Sequence, residues 1–170
     1  MTTEGSRRRD PSNSRQTKLP RVTGTWAQLS VHDLVVVDSA PLIYFLDGHS
    51  EFSSLFDGLF EAHEQGQLRI AISTIAVAEV LAGPLKKCQD VLAKRYEKAL
   101  AVFDVIPVTQ DIAVSASRLR ISCKLKLMDA LQAATALEIG AQALVTHGRD
   151  FSGFSGLPVI CGVPNVTKVG

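Results

Sequence analysis

The chain has 170 residues, 46% of them hydrophobic and 21% charged, with a net charge of +1. That length suits one globular core, and the composition excludes disordered or collagen-like chains. No apolar run approaches the roughly 18 residues that a membrane-crossing helix needs, and the basic start, Met1 to Arg9, lacks the apolar stretch of a secretory signal.

The charge is unevenly spread. Residues 1–24 carry six basic and two acidic side chains, a net +4, while the rest carries twelve basic and fifteen acidic, a net −3. Rich in Ser, Thr, Arg, Pro and Gly, residues 1–24 are expected to form a disordered basic extension, with residues 25–170 as a single domain. Three cysteines, Cys88, Cys123 and Cys161, form no CxxC pair. They are expected to be free, buried thiols of a cytoplasmic protein, not a zinc site or a disulfide frame.

From residue 33 onward, β-branched runs alternate with helical patterns. Leu34–Asp38 reads as a buried strand, and Pro41–Asp47 and Glu51–Gln67 as helices, the second with Phe52, Leu55, Phe56, Leu59, Phe60 and His63 on one face. Arg69–Ile72 is a second strand, after which Ser73 is placed to cap the next helix. The spacing predicts a helix over Lys86–Phe103 with Val91, Leu92, Tyr96, Ala99 and Leu100 inward. A strand over Asp104–Val108 follows, then helices over Asp111–Cys123 and Met128–Gly140, where Gly140 is a stop signal. Short strands at Ala143–Thr146 and Leu157–Ile160 close the pattern. Such alternation predicts an α/β fold, a three-layer α/β/α sandwich around a central parallel sheet. Sites in these sheets lie beyond the carboxyl ends of the strands, where Asp38, Thr146 and the start of the Glu79 helix fall.

Asp38, Glu79 and Asp129 each stand alone in a strongly apolar stretch, within Leu34–Ser39, Ile75–Ala82 and Leu127–Ala134. A carboxylate in such surroundings is costly unless its charge is compensated. Of the three, only Asp129 has a basic residue, Lys126, three or four positions away. Convergence of the three acids on a shared cation is the economical solution. At an effective dielectric of about 20, two such charges about 4 Å apart repel by roughly 4 kcal/mol. Mg²⁺ and Mn²⁺ take oxygen ligands, and a carboxylate-held cation of this kind can activate water and neutralise a phosphodiester. Each acid also has a structural explanation. Asp38 can cap the following helix, although Ser39 could do that too, and Asp129 can answer a helix dipole. Glu79 is the hardest to explain away, because its helical neighbours Ile75, Ala76, Ala82 and Gly83 offer no charge.

Four segments in order resemble the motifs of the PIN domain, and within it the VapC-type toxins. Val35–Ile43 resembles the opening strand with its first acid, Asp38. Ile72–Gly83 resembles the second motif with Glu79, and Leu127–Leu137 the third with Asp129. Ala143–Phe151 resembles the last, but Gly148 stands where the family has an acid or Asn, and Asp150 is the nearest acid. The resemblance covers residues 33–165. It implies a flavodoxin-like sandwich and a Mg²⁺- or Mn²⁺-dependent endoribonuclease toxin, homodimeric and held in check by a small antitoxin. Asp38, Glu79, Asp129 and Asp150 are then the catalytic set, Asp38 and Asp129 the metal ligands, and Ser39 and Thr146 supporting hydroxyls.

Two other functions fit parts of the pattern. A PIN-like RNA-binding or interaction protein with impaired catalysis would account for Gly148. Phosphotransfer through Asp38 would suit an Asp ending the first strand, but no second acid lies two residues on and no partner Lys is evident. His147 is a candidate proton carrier, and Arg118, Arg120, Lys124 and Lys126 are candidate RNA-backbone contacts, though surface solubility explains these basic residues nearly as well. The Gly-rich run Phe151–Gly156 lacks a P-loop Lys-Ser/Thr, so it gives no support for nucleotide binding.

Overall fold

Runs of Val, Ile, Ala and Leu, buried almost continuously over Leu34–Val37, Arg69–Ser73 and Ala143–Thr146, build the sheet. In the computed structural model, which describes residues 29–148 and 151–162, five parallel strands take the order β3-β2-β1-β4-β5. They are β1 Leu34–Val37, β2 Arg69–Ser73, β3 Asp104–Ile106, β4 Ala143–Thr146 and β5 Val159–Cys161. Val35 pairs with Ile70 on one side and with Ala143 on the other. The predicted extension over residues 1–24 and the candidate acid Asp150 lie outside the described residues.

Period-two alternation splits the core into two layers. Val35, Val37, Ile70, Ile72 and Val145 face a large-side-chain layer with Leu42, Phe56, Leu59, Phe60, Tyr96 and Leu100. These come from α1 Ser39–Asp47, from Phe56 between a 3₁₀ turn at Ser53–Leu55 and α2 Asp57–Glu64, from α2 itself and from α4 Asp90–Leu100, with α3 Thr74–Lys86 alongside. Val36, Ala71 and Leu144 face the opposite layer, where α5 Gln110–Ser122 and α6 Leu127–Glu138 bring Ala116, Ala130, Ala133, Ala134 and Ala136 against the sheet. Small residues let α6 lie close. The three-layer parallel architecture is as expected. Flavodoxin's strand order is 2-1-3-4-5, whereas 3-2-1-4-5 puts the reversal of direction between β1 and β4.

Three local expectations need correction. The helix expected over Glu51–Gln67 is split at Phe56, whose φ of −125° breaks the run and whose ring is fully buried. The helix expected from Lys86 starts at Asp90 instead, because α3 ends in a Schellman turn. There the Gln89 N–H donates to the Pro84 carbonyl at 2.9 Å and the Cys88 N–H to that of Leu85 at 3.0 Å. Cys88 takes the left-handed position with φ 57°, so no glycine marked the boundary in the sequence. Val91 is consequently 79% exposed, and the inward face of α4 is Ala93, Tyr96 and Leu100. At the end of α6 the glycine signal holds: Gly140 has φ 65°, and the Ala141 N–H donates to the Ala136 carbonyl at 2.9 Å. The three cysteines are free, but Cys88 is exposed and the other two are only partly covered. Among the described residues, no helix is long and apolar enough to cross a membrane.

Candidate functional site

The carboxyl end of β1 and that of β4 flank the reversal of strand order, where a parallel sheet opens a crevice. Asp38 ends β1 there, its N–H completing the ladder to the Val145 carbonyl at 2.9 Å. Its side chain caps α1 by accepting the Ser39 N–H at 2.7 Å on Oδ1. The same oxygen accepts from Gln132 Nε2 at 3.1 Å, and Oδ2 accepts from Thr146 Oγ1 at 2.7 Å. The capping explanation and the site explanation of Asp38 are therefore compatible: one oxygen serves the helix while both serve a cross-element network.

Gln132 was not singled out from the sequence. It is 1% exposed, one turn after Asp129 on the alanine face of α6. A carboxylate only accepts, so the Gln132 amide nitrogen faces Asp38 and its carbonyl faces away. That carbonyl accepts from Ser73 Oγ at 2.8 Å, and Ser73 Oγ accepts the Ala76 N–H at 3.0 Å. Ser73 thus caps α3, as expected, and links the helix carrying Glu79 to the helix carrying Asp129. A lone polar side chain within Ala130–Ala136 was the available signal.

Glu79 is half-buried on α3. Burial pushes its carboxyl above the usual range, a hydrogen bond with the Ser39 side chain partly offsets this, and the charges of Asp38 and Asp129 push it further up. Glu79 on α3 therefore lies within electrostatic range of both Asp38, which follows β1, and Asp129 on α6. Among the described residues, though, no three His, Cys, Asp or Glu side chains are grouped closely enough to hold one metal ion as they stand. Glu79 also borders a small cavity of about 80 Å³ with Asp47, Lys87 and Tyr96.

Thr146, fully buried, donates to Asp38 and accepts the Gly148 N–H at 2.9 Å. Gly148 does not have a positive φ, so its backbone is open to other residues. A Cβ there would lie 3.3 Å from Thr146 Oγ1 and 3.7 Å from the Phe151 ring. His147 has its Nδ1 2.8 Å from the Tyr44 hydroxyl, which ties it to α1.

The PIN domain family matches residues 35–157. A solved toxin–antitoxin complex from Klebsiella pneumoniae is 33% identical, with 76% of this chain and 98% of that one covered and a TM-score of 0.60. DNA-bound VapBC from Salmonella typhimurium aligns at 18% identity over 76% of this chain and 98% of that one, TM-score 0.63. VapBC2 from Rickettsia felis, bound to a promoter DNA fragment, aligns at 21% over 74% and 96%, TM-score 0.61. None of the curated proteins compared matches the chain. The chain belongs to the PIN domain family, and the VapC-type resemblance of its motifs stands with that assignment.

Proposed function

We propose that the protein is a toxin of a toxin–antitoxin pair and acts as a Mg²⁺- or Mn²⁺-dependent endoribonuclease. The observation that carries the reading is the placement of Asp38 at the reversal of the sheet, oriented by Thr146 and Gln132, with Glu79 within electrostatic range of both Asp38 and Asp129. Hard oxygen donors that repel one another suit a hard divalent cation. Asp38 and Asp129 are the proposed ligands, with Glu79 and Asp150 completing the catalytic set. When bound, such a cation supplies positive charge to a phosphodiester and makes water a better nucleophile. Thr146 and Gln132 fix both oxygens of Asp38, and Ser39 joins Asp38 to Glu79. These bonds orient Asp38, and the acids would draw closer on binding a cation, since as they stand no three are grouped tightly enough to hold one among the described residues.

The proposed partners are RNA as substrate, a small antitoxin protein and a second copy of the chain, in the cytoplasm. The complexes cited above support the antitoxin: the Klebsiella protein is a toxin–antitoxin complex.

Calorimetry with Mn²⁺ and cleavage of a mixed RNA substrate test the reading together. Wild type should bind and cut, and Asp38→Asn, Glu79→Gln and Asp129→Asn should each lose cleavage by a hundredfold or more, on the order of removing one electrostatic stabiliser. Unchanged Mn²⁺ affinity in all three would remove the metal site from consideration. Gly148 favours one second reading, a PIN-like RNA-binding or interaction protein with impaired catalysis. Metal and RNA binding without cleavage, with cleavage appearing in Gly148→Asp, selects it. Cleavage that falls in Asp150→Ala as far as in Asp129→Asn supports Asp150 as the replacement acid.

A further inference from the structure

Resting on the ribonuclease reading, we infer that Phe52, Tyr44, His49 and His147 form a stacking subsite for a nucleobase of the RNA strand beside the acidic site. The two arms of this cluster both begin at Asp38. One is α1, which Asp38 caps and which carries Tyr44. The other is β4, where Thr146 donates to Asp38 and His147 follows immediately.

The rings form one connected group. Phe52 and His147 lie 4.9 Å apart between centroids, Tyr44 and His147 5.3 Å, and Tyr44 and Phe52 5.1 Å. His49 stacks on Phe52 at 4.9 Å with 20° between planes. Fully buried Phe56 forms the floor, 6.2 Å from His147. Above that floor, Tyr44, Phe52 and His147 are half-buried and His49 is exposed. A core patch would hide such rings and would not spend two imidazoles on them. The Tyr44 hydroxyl holds His147 through Nδ1, and Nε2 has no hydrogen-bond partner among the described residues.

Charge makes the same case. A bound cation answers the acids at the scissile phosphate, but the carboxylates weaken the hold on neighbouring phosphates, so a source of strand affinity that charge repulsion does not weaken is of use beside them. Stacking of bases on aromatic rings is such a source: every base has a π-face, and each stacked base contributes substantially to single-strand binding. The subsite therefore takes an unpaired base of single-stranded RNA near the cleaved bond and positions the strand over the acids.

A single-stranded oligoribonucleotide carrying 2-aminopurine at each position in turn tests this, with Ca²⁺ in place of Mg²⁺ for binding and Mg²⁺ for cleavage. Wild type should quench the probe at one position. Phe52→Leu, which keeps an apolar side chain at a half-buried position, should lose that quenching and raise KM about tenfold, with a smaller change in kcat. Phe52→Trp should restore both, and thermal unfolding of the two variants should match wild type. Full quenching and an unchanged KM in Phe52→Leu overturn the inference. Cleavage by wild type without quenching at any position overturns the inference alone; no binding and no cleavage of any RNA overturns it together with the ribonuclease reading.

Discussion

The two ends of the parallel sheet handle charge in opposite ways. At the amino end, Arg69 on β2 meets Asp104 on β3 at 2.7 Å, with side chains 63% and 51% exposed. Asp33 and Gln142 there accept backbone N–H groups of Ser30 and Leu34. At the carboxyl end, Asp38 is met by an amide and a hydroxyl, and Glu79 by a hydroxyl. Nearby, Asp47 accepts a hydrogen bond from the Tyr96 hydroxyl. Opposite charges cancel at one end, while at the other neutral donors orient Asp38 and Glu79. Orientation without neutralisation leaves negative potential for a cation to answer, and that separates a site from a stabilising surface pair.

The comparison breaks most severely at the neutral donors. Thr146→Val keeps the volume but removes the donor to Asp38 and the acceptor of the Gly148 N–H. It should cost about 2–3 kcal/mol, as expected for a buried hydrogen bond to a charged group and an orphaned donor. Gln132→Leu should approach that cost, because it strands Ser73 as well. Urea unfolding measures both, and a loss below about 0.5 kcal/mol in each would mean that the network contributes little to the fold.

Tyr96→Phe comes next, with an expected loss of about 1–2 kcal/mol at neutral pH. Burial, then the hydrogen bond and charge of Asp47, push the Tyr96 phenol up to about 12. The unfolded phenol ionises near its ordinary value of 10, so above that pH the folded state binds more protons than the unfolded one. Stability therefore falls as pH rises from about 10 toward 12. The fall contributed by Tyr96 should be absent in Tyr96→Phe, in thermal melts taken between pH 8 and 11.

At the amino end, Arg69→Met should cost less than about 1 kcal/mol, since water screens an exposed ion pair. A larger loss in urea would show that the two ends are not as different as their geometry indicates.

Much of this arrangement was legible in the sequence, for reasons that can be located. Val35-Val36-Val37 and Ile70-Ala71-Ile72 announce strands because only a sheet buried on both faces accommodates such runs. Asp38, Glu79 and Asp129 stood out because each breaks an apolar stretch. The Schellman turn at Cys88 was hidden because a non-glycine residue took the left-handed position. Phe52 and Phe56 read as one helical face, yet tertiary contacts send Phe56 into the core and Phe52 to His147. Gln132 was missed because hydrophobic periodicity carries no information about which buried amide finds a partner on another element. Gly148 does not have a positive φ, so its backbone conformation is one that an acid could also adopt.

The smallest effect is also the one of opposite sign. Glu79→Gln should stabilise the metal-free protein, by under about 1 kcal/mol, because solvent reaches a half-buried carboxylate and screens its repulsion. Burial and the charges of Asp38 and Asp129 raise its proton affinity, against the hydrogen bond with Ser39. A raised carboxyl is protonated in the folded state while it is ionised in the unfolded one, so stability declines as pH climbs through the window above the ordinary Glu value of 4.5. Below that window both states carry the proton, and wild type and Glu79→Gln should unfold alike in EDTA. Above it the variant should be the more stable. Arg69→Met should show no such pattern, because it removes an exposed ion pair of opposite charges and not a repelled carboxylate. Adding Mn²⁺ should reverse the order at neutral pH, since a cation that binds only the folded acids stabilises wild type by mass action and the variant less. If Glu79→Gln is destabilising in EDTA at neutral pH, Glu79 is held by favourable contacts, and the contrast between the two ends of the sheet fails at its most informative residue.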